Sequence, residues 1–245
     1  MSRLVTDYLP LLAGAPNGVK KLRELILELA TSGRLLETDS DWRQTQLREL
    51  VTSSGAGWSP SCETRPRTGD EWGVLKVSAV SWSQFRPEEN KALPAHLEPR
   101  PELEVCPGDF LISRANTAEL VARSVVVEDT PPRLILSDKI VRLRLSGACD
   151  PRFIQLVNSA PKSRSYYARV AGGTSSSMKN VSREQILVLP VLLPSLAEQH
   201  RIVAKVDELM ALCDRLETRQ SDAQAAHARL VDELLGSLLQ ARDAE

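Results

Sequence analysis

A chain of 245 residues, 42% hydrophobic and 26% charged with a net charge of −1, can bury one substantial core or two small ones. No apolar run reaches the ~18 residues of a membrane span, and the short apolar stretch near the N-terminus lacks the layout of a secretory signal. A cytoplasmic protein is expected, and four scattered cysteines without C-x-x-C spacing point to neither a zinc site nor a disulfide framework.

The near-neutral total hides an asymmetry. From Phe110 to Arg183 there are twelve Lys/Arg against five Asp/Glu, a net of +7 that leaves −8 for the rest of the chain. A basic middle between acidic flanks suits a module whose centre meets an anion and whose ends meet protein. Ordinary surface charge is the plainer explanation.

In chain order, Asn17 can cap a helix over Val19–Ser32, with Val19, Leu22, Ile26 and Leu29 along one face and Gly33 at the C′ position. Thr52–Gly73, rich in Ser, Gly, Pro and Thr, reads as loop and carries Arg65 and Arg67. Val74–Val80, containing Lys76, reads as a strand, and four prolines make Phe85–Pro101 irregular. Pro107-Gly108 turns into a strand ending near Ser113, and Ala122–Val127 is β-branched. Ile140–Leu145 alternates, Val141, Leu143 and Leu145 facing one way and Arg142 and Arg144 the other. Helices are expected over Pro151–Asn158 and Ser163–Val170. Ile186–Leu193 reads as a last strand, with Pro190 arguing for an edge or bulged position. Residues 41–193 therefore predict a mixed α/β domain with a twisted sheet, in an α+β chain flanked by helical regions at 1–40 and 194–245.

The C-terminal region carries the clearest pattern. Ser195 and Glu198 form a capping box, after which Ile202, Leu209, Leu216, Ala223 and Leu230 recur every seven residues, interleaved with Val206 and Cys213. Without Gly or Pro before Gly236, this predicts a helix of about forty residues, roughly 60 Å long. Gln220 and His227 interrupt the seam with polar residues that can fix register and partner. The N-terminal helix is a natural neighbour for part of it, and the seam, Val19, Leu22, Ile26, Leu29, Ile202, Val206, Leu209, Cys213, Leu216 and Leu230, is the expected interface.

Catalytic signatures are absent from the sequence. It has no phosphate-binding P-loop, G-x-S-x-G, H-E-x-x-H or helix-opening G-x-G-x-x-G, and Thr130-Pro131-Pro132-Arg133 lacks the polar and aromatic ends of an amino-methyltransferase signature. No catalytic residue, metal or cofactor is implied. Two polar segments stand out instead. In the first, Ser113, Arg114, Asn116 and Thr117 follow a strand; Arg and Asn can contact base edges bidentately, while Ser and Thr suit phosphates. In the second, Gly172-Gly173 leads into Thr174, Ser175, Ser176, Lys179 and Asn180, small groups that let a backbone approach a phosphate. Ordinary turn chemistry would use the same residues. Arg65, Arg67 and Lys76 are weaker additions.

Four separated stretches, AGAPNGVKKLRELILELATSGRL (13–35), PGDFLISRANTAELV (107–121), GGTSSSMKNVS (172–182) and LPSLAEQHRIVAKVDELMALCDRLE (193–217), resemble the specificity (S) subunits of type I restriction-modification systems in the family's order. The resemblance implies a target recognition domain in the middle, double-stranded DNA as ligand, and methylation and cleavage in separate methyltransferase (M) and restriction/translocase (R) subunits. Full S subunits resemble two such halves in tandem, whereas this chain holds one recognition domain. A half-subunit that reads half of a bipartite site is thus expected, either as a homodimer through the long helix or as a lone half-site reader. A protein-interaction module without DNA, or the recognition fragment of a DNA methyltransferase, remain the alternatives.

Overall fold

A computed structural model describes residues 17–37, 41–81, 84–173, 175 and 178–242, with side chains of the final helix described to Glu233. The chain divides into two compact units whose breaks fall inside both flanking helices, after Ile26 and before Ala204.

The mixed unit, Leu27–Val203, is built on a four-stranded antiparallel sheet in the order β2-β9-β5-β7, formed by Val51–Ala56, Ile140–Leu145, Phe110–Ser113 and Ser124–Val126. A three-stranded sheet, β4-β3-β8, joins Asn90–Ala92 to Gly73–Leu75 antiparallel and Gly73–Leu75 to Leu134–Ile135 parallel. Leu75, Val80, Leu111, Val125, Leu134, Leu136 and Ile140 pack into one apolar cluster. Its burial is the main force holding the sheets in place. Gly57 follows β2, and a Cβ there would stand 1.9 Å from the Leu136 carbonyl oxygen. Only glycine permits the close pass in which Trp58 donates its N–H to that carbonyl at 2.8 Å.

Two ribbons extend this framework: β1 (Arg43–Gln46) with β11 (Pro190–Leu193), and β6 (Ala115–Asn116) with β10 (Lys179–Asn180), both antiparallel. Helices α2 (Pro151–Ser159) and α3 (Pro161–Val170) each begin with proline, where a missing N–H costs nothing. Asp150 caps α2 by accepting from the Arg152 N–H at 2.7 Å.

Several sequence expectations are corrected. Thr52–Gly73 is not all loop, because its first residues belong to β2; that strand pairs with β9 through its backbone and needs no apolar alternation of its own. The expected strand over Val74–Val80 stops at Leu75 and gives way to a 3-10 turn, Val77–Val80. The irregular stretch contains β4. Ile186–Leu193 splits into a short helix α4 (Arg183–Leu187), opened by a Ser182/Gln185 capping box, and the strand β11. Pro190 does open a strand at a ribbon edge.

Helix α1 (Gly18–Thr31) ends at Gly33, φ 73°. Helix α5 runs Leu196–Arg242, 47 residues and so about 70 Å. In its first turns, within the mixed unit, Glu198 accepts from the Trp42 indole N–H at 3.3 Å and Gln199 is fully buried. The Gln199 carboxamide accepts from the Asp150 N–H at 2.8 Å and donates to the Ala148 and Pro194 carbonyls at 3.0 Å. Gln199→Leu would take its side-chain partner from three backbone groups, at Ala148, Asp150 and Pro194, so it is expected to lower stability by about 2 kcal/mol in urea unfolding.

In the helical unit, Val19, Leu22 and Ile26 of α1 and Val206, Leu209 and Cys213 of α5 are all buried. The Arg23 guanidinium donates to Asp214 at 2.6 Å and Glu217 at 2.9 Å, tying α1 to α5. Leu29 and Ile202, on the same faces, are buried in the mixed unit. Eight of the ten expected interface residues are therefore buried within the chain. Leu216 is half-buried and Leu230 is 54% exposed. Among the described residues no helix is long and apolar enough to cross a membrane.

Candidate nucleic-acid interface

The two polar segments, one ending at Thr117 and the other beginning at Gly172, lie far apart in sequence and meet as neighbours in the fold. Lys179 pairs with Asn116 and Asn180 with Ala115. The ladder continues on one side through the Val181 N–H, which donates to the Arg114 carbonyl at 2.9 Å, and on the other through a Gly172–Asn180 bridge. Arg114 also donates its N–H to the Lys139 carbonyl at 2.8 Å, so it sits at the corner where the ribbon leaves the four-stranded sheet.

Gly173 adopts φ 111°, and a Cβ there would stand 2.4 Å from the Met178 carbonyl oxygen. The Lys179 ammonium donates to the Gly173 carbonyl at 2.6 Å and closes the same loop. Ser175 and Asn180 are exposed. Thr174 and Ser176 lie outside the described residues.

Individual side chains divide into two kinds. Arg114 and Thr117 are half-buried, and no ion pair among the described residues engages the Arg114 guanidinium. Ser113, by contrast, is fully buried, its hydroxyl shared between the Leu120 and Arg123 carbonyls. It closes the loop from inside and is removed from the DNA-facing set. Asn116 donates to the Ser81 hydroxyl at 2.9 Å and accepts from the Thr117 N–H at 2.8 Å. Both edges of its amide are engaged, so it staples the loop rather than offering a bidentate base contact.

The weaker additions fall elsewhere. Arg65 grips Glu71 bidentately at 2.6 Å and Glu63 at 2.8 Å, holding the Glu71 carboxyl down at about 2. Arg67 donates to the Gly69 and Glu71 carbonyls, and Lys76 pairs with Glu89 at 2.8 Å. These cations are committed to local structure.

The loop between β6 and β7 is held by groups that no sequence signal marked. Ala122 sits at φ 58°, unfavourable for a residue with a Cβ. Its carbonyl accepts from Asn158 at 2.7 Å and from the Arg164 guanidinium at 3.2 Å. Arg164 also donates to the Val121 and Glu119 carbonyls, and stacks over Tyr167 at 5.5 Å. Asn158 further donates to the buried Ser124 hydroxyl at 2.9 Å and accepts from the Tyr167 hydroxyl at 2.8 Å. Burial, with Arg123 nearby, pushes the Arg164 guanidinium down to about 10, which leaves it a cation at neutral pH. The polar residues of α2 and α3 thus fix the loop that begins at Thr117 and runs to β7.

The mixed unit holds its polar loops on an antiparallel sheet, and the chain ends in a long helix. The chain is similar to the specificity subunits of type I restriction enzymes. It is 34% identical over 200 residues to the type I restriction enzyme EcoEI specificity subunit of Escherichia coli, an alignment covering 81% of this chain and 34% of that protein. With the EcoKI specificity subunit of Escherichia coli K12 it shares 25% identity over 90% of this chain and 48% of the relative. The chain therefore spans a third to a half of the curated relatives it matches. No protein-family model matches. Among solved structures, a chain from a type I restriction-modification complex superposes with a TM-score of 0.64 at 19% identity, covering 93% of this chain and 53% of that one. The HsdS subunit of Thermoanaerobacter tengcongensis gives 0.56 at 17% identity, covering 89% and 50%.

Proposed function

We propose that this chain reads DNA sequence for a type I restriction-modification complex without catalysing a reaction itself. In this reading residues 41–193 act as the target recognition domain and engage one half of a bipartite duplex site. The observation that carries it is the β6–β10 ribbon, which gathers Arg114, Thr117, Lys179 and Asn180 from two distant segments. Kinship with specificity subunits supplies the complex: a methyltransferase subunit docks on the helices, and a restriction/translocase subunit joins that assembly. Fluorescence anisotropy with duplex DNA, with and without the methyltransferase subunit, tests the core of this reading. Affinity should fall steeply with salt as released counterions cease to favour binding, and binding absent at all salt concentrations would overturn it.

A second copy is the proposed partner for the far half of α5. From Glu217 to Glu233 every residue except Gln220 is exposed, and Leu230 and Val231 remain 54% and 38% accessible. A helix extending that far alone gains little from packing, and heptad spacing suits a second helix. Leu230→Glu with Val231→Glu is expected to convert a dimer to monomer in sedimentation equilibrium at tens of micromolar without unfolding the mixed unit. A wild-type chain that stays monomeric there would contradict the homodimer.

A further inference from the structure

A second basic feature lies beside the ribbon. A depression of about 400 Å³ is lined by Lys76, Lys91, Lys139, Ser59, Ser137 and Asp138, among others. Its charges are unevenly committed. Lys76 is paired with Glu89 at 2.8 Å, and Asp138 is bonded to Ser59, whose hydroxyl also accepts from the Asp138 N–H at 3.1 Å. Lys91 and Lys139 are exposed, and no ion pair among the described residues engages either one.

Ser137 is the unusual member. It is 6% exposed, and its hydroxyl is the one buried side-chain polar atom among the described residues with no hydrogen-bond partner. An unsatisfied buried hydroxyl costs about 1–3 kcal/mol, and Ser137 lines the depression, so a turn of its side chain toward an acceptor seated there would recover that cost. The backbone cannot relax to satisfy it. The Ser137 carbonyl already accepts from Gly57 at 3.2 Å and Ile140 at 3.0 Å, which fixes the segment. Lys139 then leads directly to the ribbon, since its carbonyl accepts from Arg114.

We infer that this depression is an anion seat for one phosphate of the DNA backbone, with Lys91 and Lys139 flanking the charge and Ser137 donating to a phosphate oxygen. The inference rests on the DNA-reading function proposed above and adds to it a contact that positions the duplex without reading sequence. Lys91 and Lys139 together outweigh the one acidic side chain on the wall, Asp138, and the orphan hydroxyl supplies direction.

Three variants of the full chain test it with random-sequence duplex DNA. Lys91→Met with Lys139→Met should weaken binding roughly tenfold or more at low salt and reduce the slope of log K against log [salt] by about 1–2. Removing the same number of charges with Lys20→Met and Lys21→Met, both exposed on α1, should leave the slope unchanged. Ser137→Ala should raise the thermal midpoint, because an unsatisfied hydroxyl is lost, while weakening DNA binding severalfold; a merely structural serine would not couple these opposite effects. Equal slopes for the two double variants would overturn the seat while leaving DNA recognition standing.

Should wild-type chain bind no DNA, inorganic phosphate followed by amide chemical shifts decides the matter separately. Shifts at Ser137–Lys139 at millimolar phosphate would retain an anion site and discard its DNA assignment. Their absence would discard the site.

Discussion

Arg114→Glu combined with Lys179→Glu is expected to weaken duplex binding on the order of 100-fold at low salt, with the salt slope falling by about 2. The two residues reach the ribbon from segments that share no sequence neighbourhood, Lys179 pairing with Asn116 and Arg114 sitting one residue before β6. Reversal places two negative charges where a phosphate backbone would pass. Both side chains are only half-buried, so thermal stability should hold. Lys179 also closes its own loop through Gly173, and Lys179→Met separates that contribution, since it removes the bond without adding repulsion. A double charge reversal that left affinity unchanged would move the interface away from the ribbon.

The second large effect is one of stability. Asn158→Leu is expected to cost about 3 kcal/mol or more in urea unfolding, because its removal leaves the buried Ser124 hydroxyl, the Tyr167 hydroxyl and the Ala122 carbonyl each short of a partner. Tyr167→Phe removes one hydroxyl and leaves only one Asn158 acceptor lone, so about 1–2 kcal/mol is expected. The double variant should cost clearly less than the sum, since both substitutions break the same bond. Full additivity would show that the network does not act as a unit. DNA affinity per folded molecule should also drop, because the loop held at Ala122 begins at Thr117, directly after β6.

Much of the frame was legible in the sequence, and the reasons are physical. The alternation of Ile140–Leu145 and the β-branched run near Val125 reflect strands with one buried face, and both emerged as sheet members. The heptad announced α5 because repeated apolar spacing has few other uses. The strand Val51–Ala56 was hidden, because exposed Ser and Gly residues pair through backbone alone. The start of α4 was legible after all in Ser182 and Gln185, but the apolar residues after them read as a strand.

The candidate site was legible as two segments and illegible as one surface. Side-chain type singled out both segments, yet could not tell a reading asparagine from Asn116, whose amide is engaged on both edges. The charge count misled in a similar way. Arg142 pairs with Asp109 at 3.1 Å in a largely buried bridge, Arg133 pairs with Asp70 and Arg164 is consumed by three carbonyls. The basic middle therefore offers fewer free cations than its sequence excess of +7 implies. Lys91 and Ser137 lie in stretches with no motif at all, and only the fold sets them in one depression.

The central claim is that the β6–β10 ribbon faces DNA. Hydrogen–deuterium exchange of the full chain, alone and saturated with duplex carrying its methylated target, measures this most directly. Protection on binding should concentrate in residues 112–123 and 172–181. Unchanged exchange in both segments, with protection confined to α1 and α5, would contradict it.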